Sequence, residues 1–138
     1  MKTIRNIIAV MTIGATVFLS SCAKDDSSPS GTGDARDKFT GSWTCNETSQ
    51  VHGNSTYTMT INKDVTSANQ VIAKNFYGLG NSTNTVIVID GNNMTIQTQL
   101  VSGNTLSGTG SYSNANLTIS FSADDGQTVD HVTVNAHH

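Results

Sequence analysis

The segment that decides the fold reads Phe39-Thr-Gly-Ser-Trp-Thr-Cys-Asn-Glu-Thr48. Alternate residues from Phe39 to Glu47 share one side, which carries Trp43 and Cys45, and the other side is threonine, serine and asparagine. Side chains of a β-strand point alternately to opposite faces, so a period of two marks a strand with one buried face. The segment therefore predicts a first strand with its apolar face turned to a core.

The same pattern repeats along the rest of the chain. Gly, Asn and Asp clusters interrupt it at intervals of about ten residues, as tight turns between antiparallel strands do. Helix formers such as Ala, Glu and Leu are scarce after residue 38. The sequence predicts an all-β, eight-stranded antiparallel up-and-down meander, with strands at 39–48, 56–62, 70–77, 85–90, 93–101, 106–112, 117–121 and 128–135.

Eight strands in this order are enough for a twisted sheet to close on itself and leave no edge unpaired. We therefore predict a small β-barrel, and a two-sheet β-sandwich is the alternative with the same strand pattern. Two details of the strands carry further predictions. Alternation places Met94, Ile96 and Leu100 on one face of the fifth strand, and the inward Gly108 and Gly110 indicate a sharp bend or a close neighbour.

The N-terminus precedes this body with a different kind of sequence. Lys2 and Arg5 form a basic start, and the apolar run from residue 7 to 18 is too short to cross a bilayer as a helix. The run ends in Leu19-Ser-Ser-Cys22, which resembles the lipobox of bacterial lipoproteins. The resemblance implies a signal peptide over 1–21 and a lipid on Cys22, which anchors the protein to a membrane. An ordinary cleaved signal peptide with an incidental cysteine is the alternative.

A polar stretch follows Cys22. Lys24, Asp25 and Asp26 resemble the export signal that sends some Bacteroidetes lipoproteins to the outer face of the outer membrane, and a periplasm-facing position is the alternative. The sequence up to Lys38 has too little apolar surface to offset the entropy of ordering. We predict a flexible tether over 22–38 and a single barrel domain over 39–138.

Composition excludes several classes of function. Without residues 1–21 the chain has five Lys and Arg against ten Asp and Glu, a formal charge of −5, so we expect no nucleic-acid binding. A lipid on Cys22 leaves Cys45 without a disulfide partner. The four histidines lack the spacing of a zinc site, and we expect neither a metal nor a cofactor.

The opening Phe39-Thr-Gly41-Ser-Trp43 resembles the Gly-x-Trp start of lipocalin-like barrels, and residues 37–136 as a whole resemble small lipocalin-like lipoproteins of Bacteroidetes. The resemblance implies a barrel and a small apolar ligand. The chain departs from secreted lipocalins because it lacks a C-terminal helix and a disulfide. A barrel this small could also be filled by its own side chains.

Few residues carry candidate chemistry. Alternation places Glu47, the only glutamate, on the inner face, where its carboxylate could bind the polar end of a ligand or act as a general base. Tyr77, before a Gly-rich loop, is the best-placed aromatic residue for ligand binding. Cys45 on the same face as Glu47 is either a small apolar filler or a thiol that would need His52 or His131 as its base.

We therefore expect a non-catalytic, membrane-anchored module that binds a small molecule or an envelope protein. A protein inhibitor or assembly subunit on the same scaffold is the alternative, with the loop 78–84 or the strand 86–89, apolar on both faces, as its contact surface. A third hypothesis is an enzyme that uses Glu47 or Cys45.

Overall fold

The computed structural model describes residues 33–138 and shows eight β-strands with two short 3-10 helices. No helix in this range is long and apolar enough to span a membrane. The helices are Asp37–Phe39 and Phe76–Gly78. The strands are β1 (Gly41–Ser49), β2 (Gly53–Lys63), β3 (Gln70–Lys74), β4 (Asn84–Asp90), β5 (Asn93–Val101), β6 (Asn104–Ser113), β7 (Asn116–Asp124) and β8 (Val129–His137).

The sheet closes into an up-and-down barrel. Each strand pairs antiparallel with the next, and β8 returns to pair with β1 along six residue pairs, from Thr44 with His137 to Ser49 with Val132. The predicted fold class is confirmed, and closure excludes the sandwich. Every strand has two partners, so the sheet has no edge strand, although β2 pairs with β3 only over residues 60–63 and β4 with β5 only over residues 88–90.

Side chains fill the interior of the barrel. Alternate residues of the strands point inward, as the period of two predicts, and the two 3-10 helices add Phe39 and Phe76 to the core. The largest fully buried side chains are those of Trp43, Phe39, Phe76, Met59 and Ile61. The Trp43 indole donates a hydrogen bond to the Phe39 carbonyl (2.8 Å), and its ring packs on the C-terminal His138 at 3.8 Å between centroids. The two final histidines, which their position predicts to be frayed, are thus part of the folded structure.

The fifth strand departs from simple alternation. Between Ile96 and Gln99 the register with β6 shifts by one residue, the mark of a β-bulge. The extra residue reverses the faces, so that Val101 is buried while Leu100 is 73% exposed, and the prediction of an inward Leu100 is wrong. Beyond the bulge the Gln99 side-chain amide bonds to both the N–H and the carbonyl of Val86, replacing the ladder between β4 and β5.

The third strand is also shorter than predicted. It ends at Lys74, and the chain then turns away through Asn75 into the 3-10 helix Phe76–Gly78 instead of continuing the strand. Asn75 and Tyr77 adopt left-handed backbone conformations with φ near +57° and +56°. This conformation is costly for any residue that has a side chain, so contacts with neighbouring residues must hold Asn75 and Tyr77 in it.

The folded part begins before the predicted boundary at residue 39. One guanidinium nitrogen of Arg36 donates to the carbonyls of Asp64, Ser67 and Gln70, at 3.0, 2.7 and 3.2 Å. Asp34 accepts from the other guanidinium nitrogens and forms an ion pair with Lys63 (3.0 Å). These contacts tie residues 34–38, predicted as tether, to the connection between β2 and β3.

The barrel therefore has two different ends. The end reached first by the chain, called here the N-terminal end, carries residues 33–40 and the β2–β3, β4–β5 and β6–β7 connections. The opposite end, called the loop end, carries the β1–β2, β3–β4, β5–β6 and β7–β8 connections. Up-and-down topology forces this separation because successive turns alternate between the ends.

The inward glycines of β6 permit a close approach between strands. A Cβ on Gly108 would lie 2.4 Å from both the Phe121 Cβ and the Ser120 carbonyl oxygen. We expect Gly108→Ala to lower the free energy of unfolding by about 3 kcal/mol, because this contact requires the backbone to move. Urea unfolding of the variant measures it.

Thr109→Ala is the matched control on the same strand, because its exposed side chain can be removed at a cost of about 1 kcal/mol or less. Equal effects of the two substitutions would contradict the close approach.

Candidate binding site at the loop end

The loop end of the barrel contains a small pocket. It has a volume of about 80 Å³ and lies among all four connections at this end. Its lining includes Val51, His52, Tyr77, Asn104, Asp125 and Asp130. Residues from distant parts of the sequence thus meet here because odd-numbered strands all end on this side of the barrel.

Asp130 lies at the inner side of this pocket and is only 3% exposed. Its carboxylate accepts hydrogen bonds from the Ser49 hydroxyl (2.6 Å), the Tyr77 hydroxyl (2.7 Å) and the Val51 N–H (3.1 Å). Burial by itself raises the pKa of Asp130, but these donors outweigh it and hold the pKa below its ordinary value. Asp130 is therefore a buried anion that fixes the β1–β2 turn and Tyr77.

Tyr77 joins the pocket to the barrel interior. Its hydroxyl donates to Asp130, its N–H donates to the Tyr57 hydroxyl (3.2 Å), and its ring packs edge-on against Phe121. Burial and the bond to Asp130 raise the pKa of Tyr77. The side chain is half-buried and forms one wall of the pocket.

Glu47 lies inside the barrel, on the face that alternation predicts, and is 6% exposed. It accepts from the Tyr57 hydroxyl (3.0 Å) and the Ser55 hydroxyl (3.2 Å). Burial raises its pKa. Glu47 does not line the pocket, and the Tyr57 hydroxyl links it to Tyr77. The structure thus connects the two predicted ligand-binding residues but exposes only Tyr77 to the pocket.

Cys45 is fully buried, and its thiol donates a weak hydrogen bond to the Trp43 carbonyl. Burial raises its pKa to about 12, so the thiolate needed for nucleophilic attack is disfavoured. His52 and His131, the bases it would need, are both exposed, His52 in the β1–β2 connection and His131 on β8. This environment favours the interpretation of Cys45 as a small apolar filler.

Within residues 33–138, no three His, Cys, Asp or Glu side chains are grouped closely enough to hold a metal ion.

The strand 86–89 exposes less apolar surface than its sequence predicts, because Ile87 and Ile89 are buried and Val86 and Val88 are half-buried. The proposed lipidation site, Cys22, lies outside the described residues.

Sequence reasoning missed two members of the polar cluster at the loop end. Asp130 shares the inward parity of Val132 and Val134 on β8, and Ser49 shares that of Glu47 on β1. This parity was a usable signal, because a carboxylate on an inward row requires hydrogen-bond donors close by. The donors to Asp130 came from the end of β1, from the β1–β2 turn and from the β3–β4 connection, and their proximity could not be read from the sequence.

Comparison of the sequence with protein-family models finds no match, and comparison with curated proteins finds none either. The residues at the loop end are therefore the main guide to function.

The raised pKa of Glu47 gives stability a defined pH dependence. The folded state holds the Glu47 proton to higher pH than the unfolded state, so this group's contribution to stability is lost as pH rises above about 4.5. Between pH 4 and pH 7 the wild type should lose this contribution, whereas Glu47→Gln has no such group to titrate. We therefore expect the free energy of unfolding of Glu47→Gln, relative to that of the wild type, to increase over this range. Each unit by which the pKa is raised corresponds to about 1.4 kcal/mol.

Urea unfolding at several pH values measures this difference. Ser55→Ala is the control, because it removes a donor to Glu47 but keeps the carboxyl group and hence the pH dependence. A difference between Glu47→Gln and wild type that is constant with pH would contradict the assignment.

Proposed function

We propose that the protein is a non-catalytic, lipid-anchored module of the outer membrane whose loop end binds a small molecule or a protein partner. The observation that carries the proposal is the position of the pocket, at the end of the barrel opposite to the one where the chain enters. A module anchored through its N-terminus presents that opposite end to its surroundings.

The anchor follows from Leu19-Ser-Ser-Cys22 and its resemblance to a lipobox. Because Arg36 ties residues 34–38 to the barrel, only residues 22–33 remain to span the distance to the membrane. Such a segment reaches about 40 Å at most. The barrel would thus stay near the membrane with its N-terminal end inward, and Lys24-Asp25-Asp26 favours the outer surface of the cell.

The interior of the barrel is packed with side chains, and this favours binding at the rim. The lipocalin-like resemblance implies an apolar ligand inside, but Trp43, Met59 and Ile119 are fully buried among neighbouring side chains there. The same packing surrounds Cys45 and raises its pKa, which supports a protein without a thiol-dependent activity. We therefore assign binding to the pocket lined by Tyr77 and Asp130.

A protein partner is favoured by apolar residues around the pocket, and this extends the proposal to an inhibitor or assembly subunit. Val51 and Val129 are 48% and 47% exposed, and Leu100 is exposed by the bulge in β5. Strand register joins Leu100 to Val129 through Thr105 and Asp124, so these side chains form one rim. Neighbouring apolar side chains that are left exposed often mark a site of contact with another protein.

Site-specific photo-crosslinking on intact cells tests the site of binding. A photoreactive residue at Val51 or Val129 is expected to crosslink to a specific partner, while one at Asn92, at the N-terminal end, is not. Native mass spectrometry of the same protein, before and after denaturation, detects a small bound molecule instead. Crosslinks that form only from Asn92 would overturn the proposal.

The anchor is tested separately by Cys22→Ala. We expect this substitution to abolish labelling with radioactive palmitate and to move the protein from the membrane to the soluble fraction, because Cys22 is the proposed acylation site. A variant that is still labelled and still in the membrane would contradict the assignment of Cys22.

A further inference from the structure

We propose that the loop-end pocket binds a primary ammonium group, of the kind that a lysine side chain carries. This inference rests on the proposed function, because it names the chemistry of the ligand at the same site. The pocket combines two carboxylates, Asp125 and Asp130, with two aromatic rings, His52 and Tyr77, in one small concave space. Ion pairing with the carboxylates and cation–π attraction to the Tyr77 ring both favour a cation in such a space.

The two carboxylates have different parts in this recognition. Asp130 is buried and held by Ser49, Tyr77 and Val51, so it supplies a fixed negative charge beneath the pocket. Asp125 lies in the exposed β7–β8 turn, where its Oδ1 accepts from the N–H groups of Gln127 and Thr128. Its other oxygen, Oδ2, has no hydrogen bond within residues 33–138 and is free to accept from a ligand.

The Tyr77 ring adds to the attraction. The rings of His52 and Tyr77 lie 6.3 Å apart between centroids and tilt by 51°. The Tyr77 ring is held from behind by Phe121 and by its bond to Asp130. This wall is therefore already in place before a ligand binds, which lowers the entropic cost of binding.

Positive charge is distributed away from this pocket. Arg36, Lys38 and Lys63 all contact groups at the N-terminal end of the barrel. Lys74, at the end of β3, is the one Lys or Arg at the loop end among residues 33–138, and it does not line the pocket. The loop end thus has more carboxylates than Lys or Arg side chains. Within residues 33–138, no Lys or Arg lines the pocket and would repel a bound cation.

The size of the pocket selects a compact group. A volume of about 80 Å³ is that of roughly two to three water molecules. Sites that enclose a whole drug-sized ligand are usually about 300 Å³ or more. The pocket therefore accepts the end of a chain, with its last methylene groups against Val51 and the rest of the ligand outside on the rim.

The test is titration of the ¹⁵N-labelled full-length chain in a non-ionic detergent, at low salt and pH 8, with n-butylammonium chloride. We expect saturable shifts of the amide signals of Val51, His52 and Thr128 with a dissociation constant in the millimolar range. n-Butanol is the uncharged counterpart and is expected to cause no saturable shift. Equal shifts from the two compounds would overturn the proposal.

Asp125→Asn is expected to weaken n-butylammonium binding about three- to tenfold, because it removes an exposed charge and acceptor. Asp90→Asn is the matched control, since it makes the same change of charge at the N-terminal end. Equal weakening by both variants would show attraction to the overall charge and would overturn the site. Tyr77→Leu, which removes the aromatic wall, is a second variant expected to weaken binding.

A lysine peptide distinguishes the source of the ammonium group. Tighter binding of acetyl-Ala-Lys-Ala-amide than of n-butylammonium would identify a lysine of a protein partner, and equal binding would identify a free amine. Crosslinks from Val51 without any ammonium binding would overturn this inference and leave the proposed function standing. Ammonium binding by isolated protein, without crosslinks or a bound small molecule, would overturn the proposed function.

Discussion

Pairing of β1 with β8 is the constraint on which the rest of the structure depends. It closes the sheet, satisfies the backbone groups that an edge would expose and limits the space inside the barrel. Trp43, Phe39 and Phe76 occupy much of that space, and close approach at Gly108 narrows it further. Closure therefore produces a stable scaffold and moves the proposed binding to its ends.

The two ends are built for different purposes. At the N-terminal end, Arg36 ties the incoming chain to the β2–β3 connection, and Phe39 adds an apolar side chain to the core. At the loop end, the buried carboxylate of Asp130 holds the β1–β2 turn and Tyr77 in place. The two ends of the barrel therefore differ in structure, one held by the incoming chain and the other by hydrogen bonds to a buried carboxylate. The proposed anchoring requires such a difference between the ends.

The sequence predicted which side chains point inward where alternation along a single strand sets their direction. It failed where the pairing with a neighbouring strand or a turn changes that direction. Alternation placed Trp43 and Glu47 inward, and it would have placed Asp130 there too. It failed at Leu100, because a bulge in the pairing with β6 reverses the faces. It also failed at Tyr77, where left-handed residues end β3 early.

The sequence by itself determined the strands, their order and the inward rows, because the period of two is a property of each strand. It also carries the lipobox-like segment at Cys22, a local chemical pattern. The tertiary structure alone decided that the sheet closes and that Ser49, Tyr77, Asp125 and Asp130 meet around one pocket. The reason is physical: that meeting depends on the register of distant strands, which pairing across the whole barrel sets and no local pattern records.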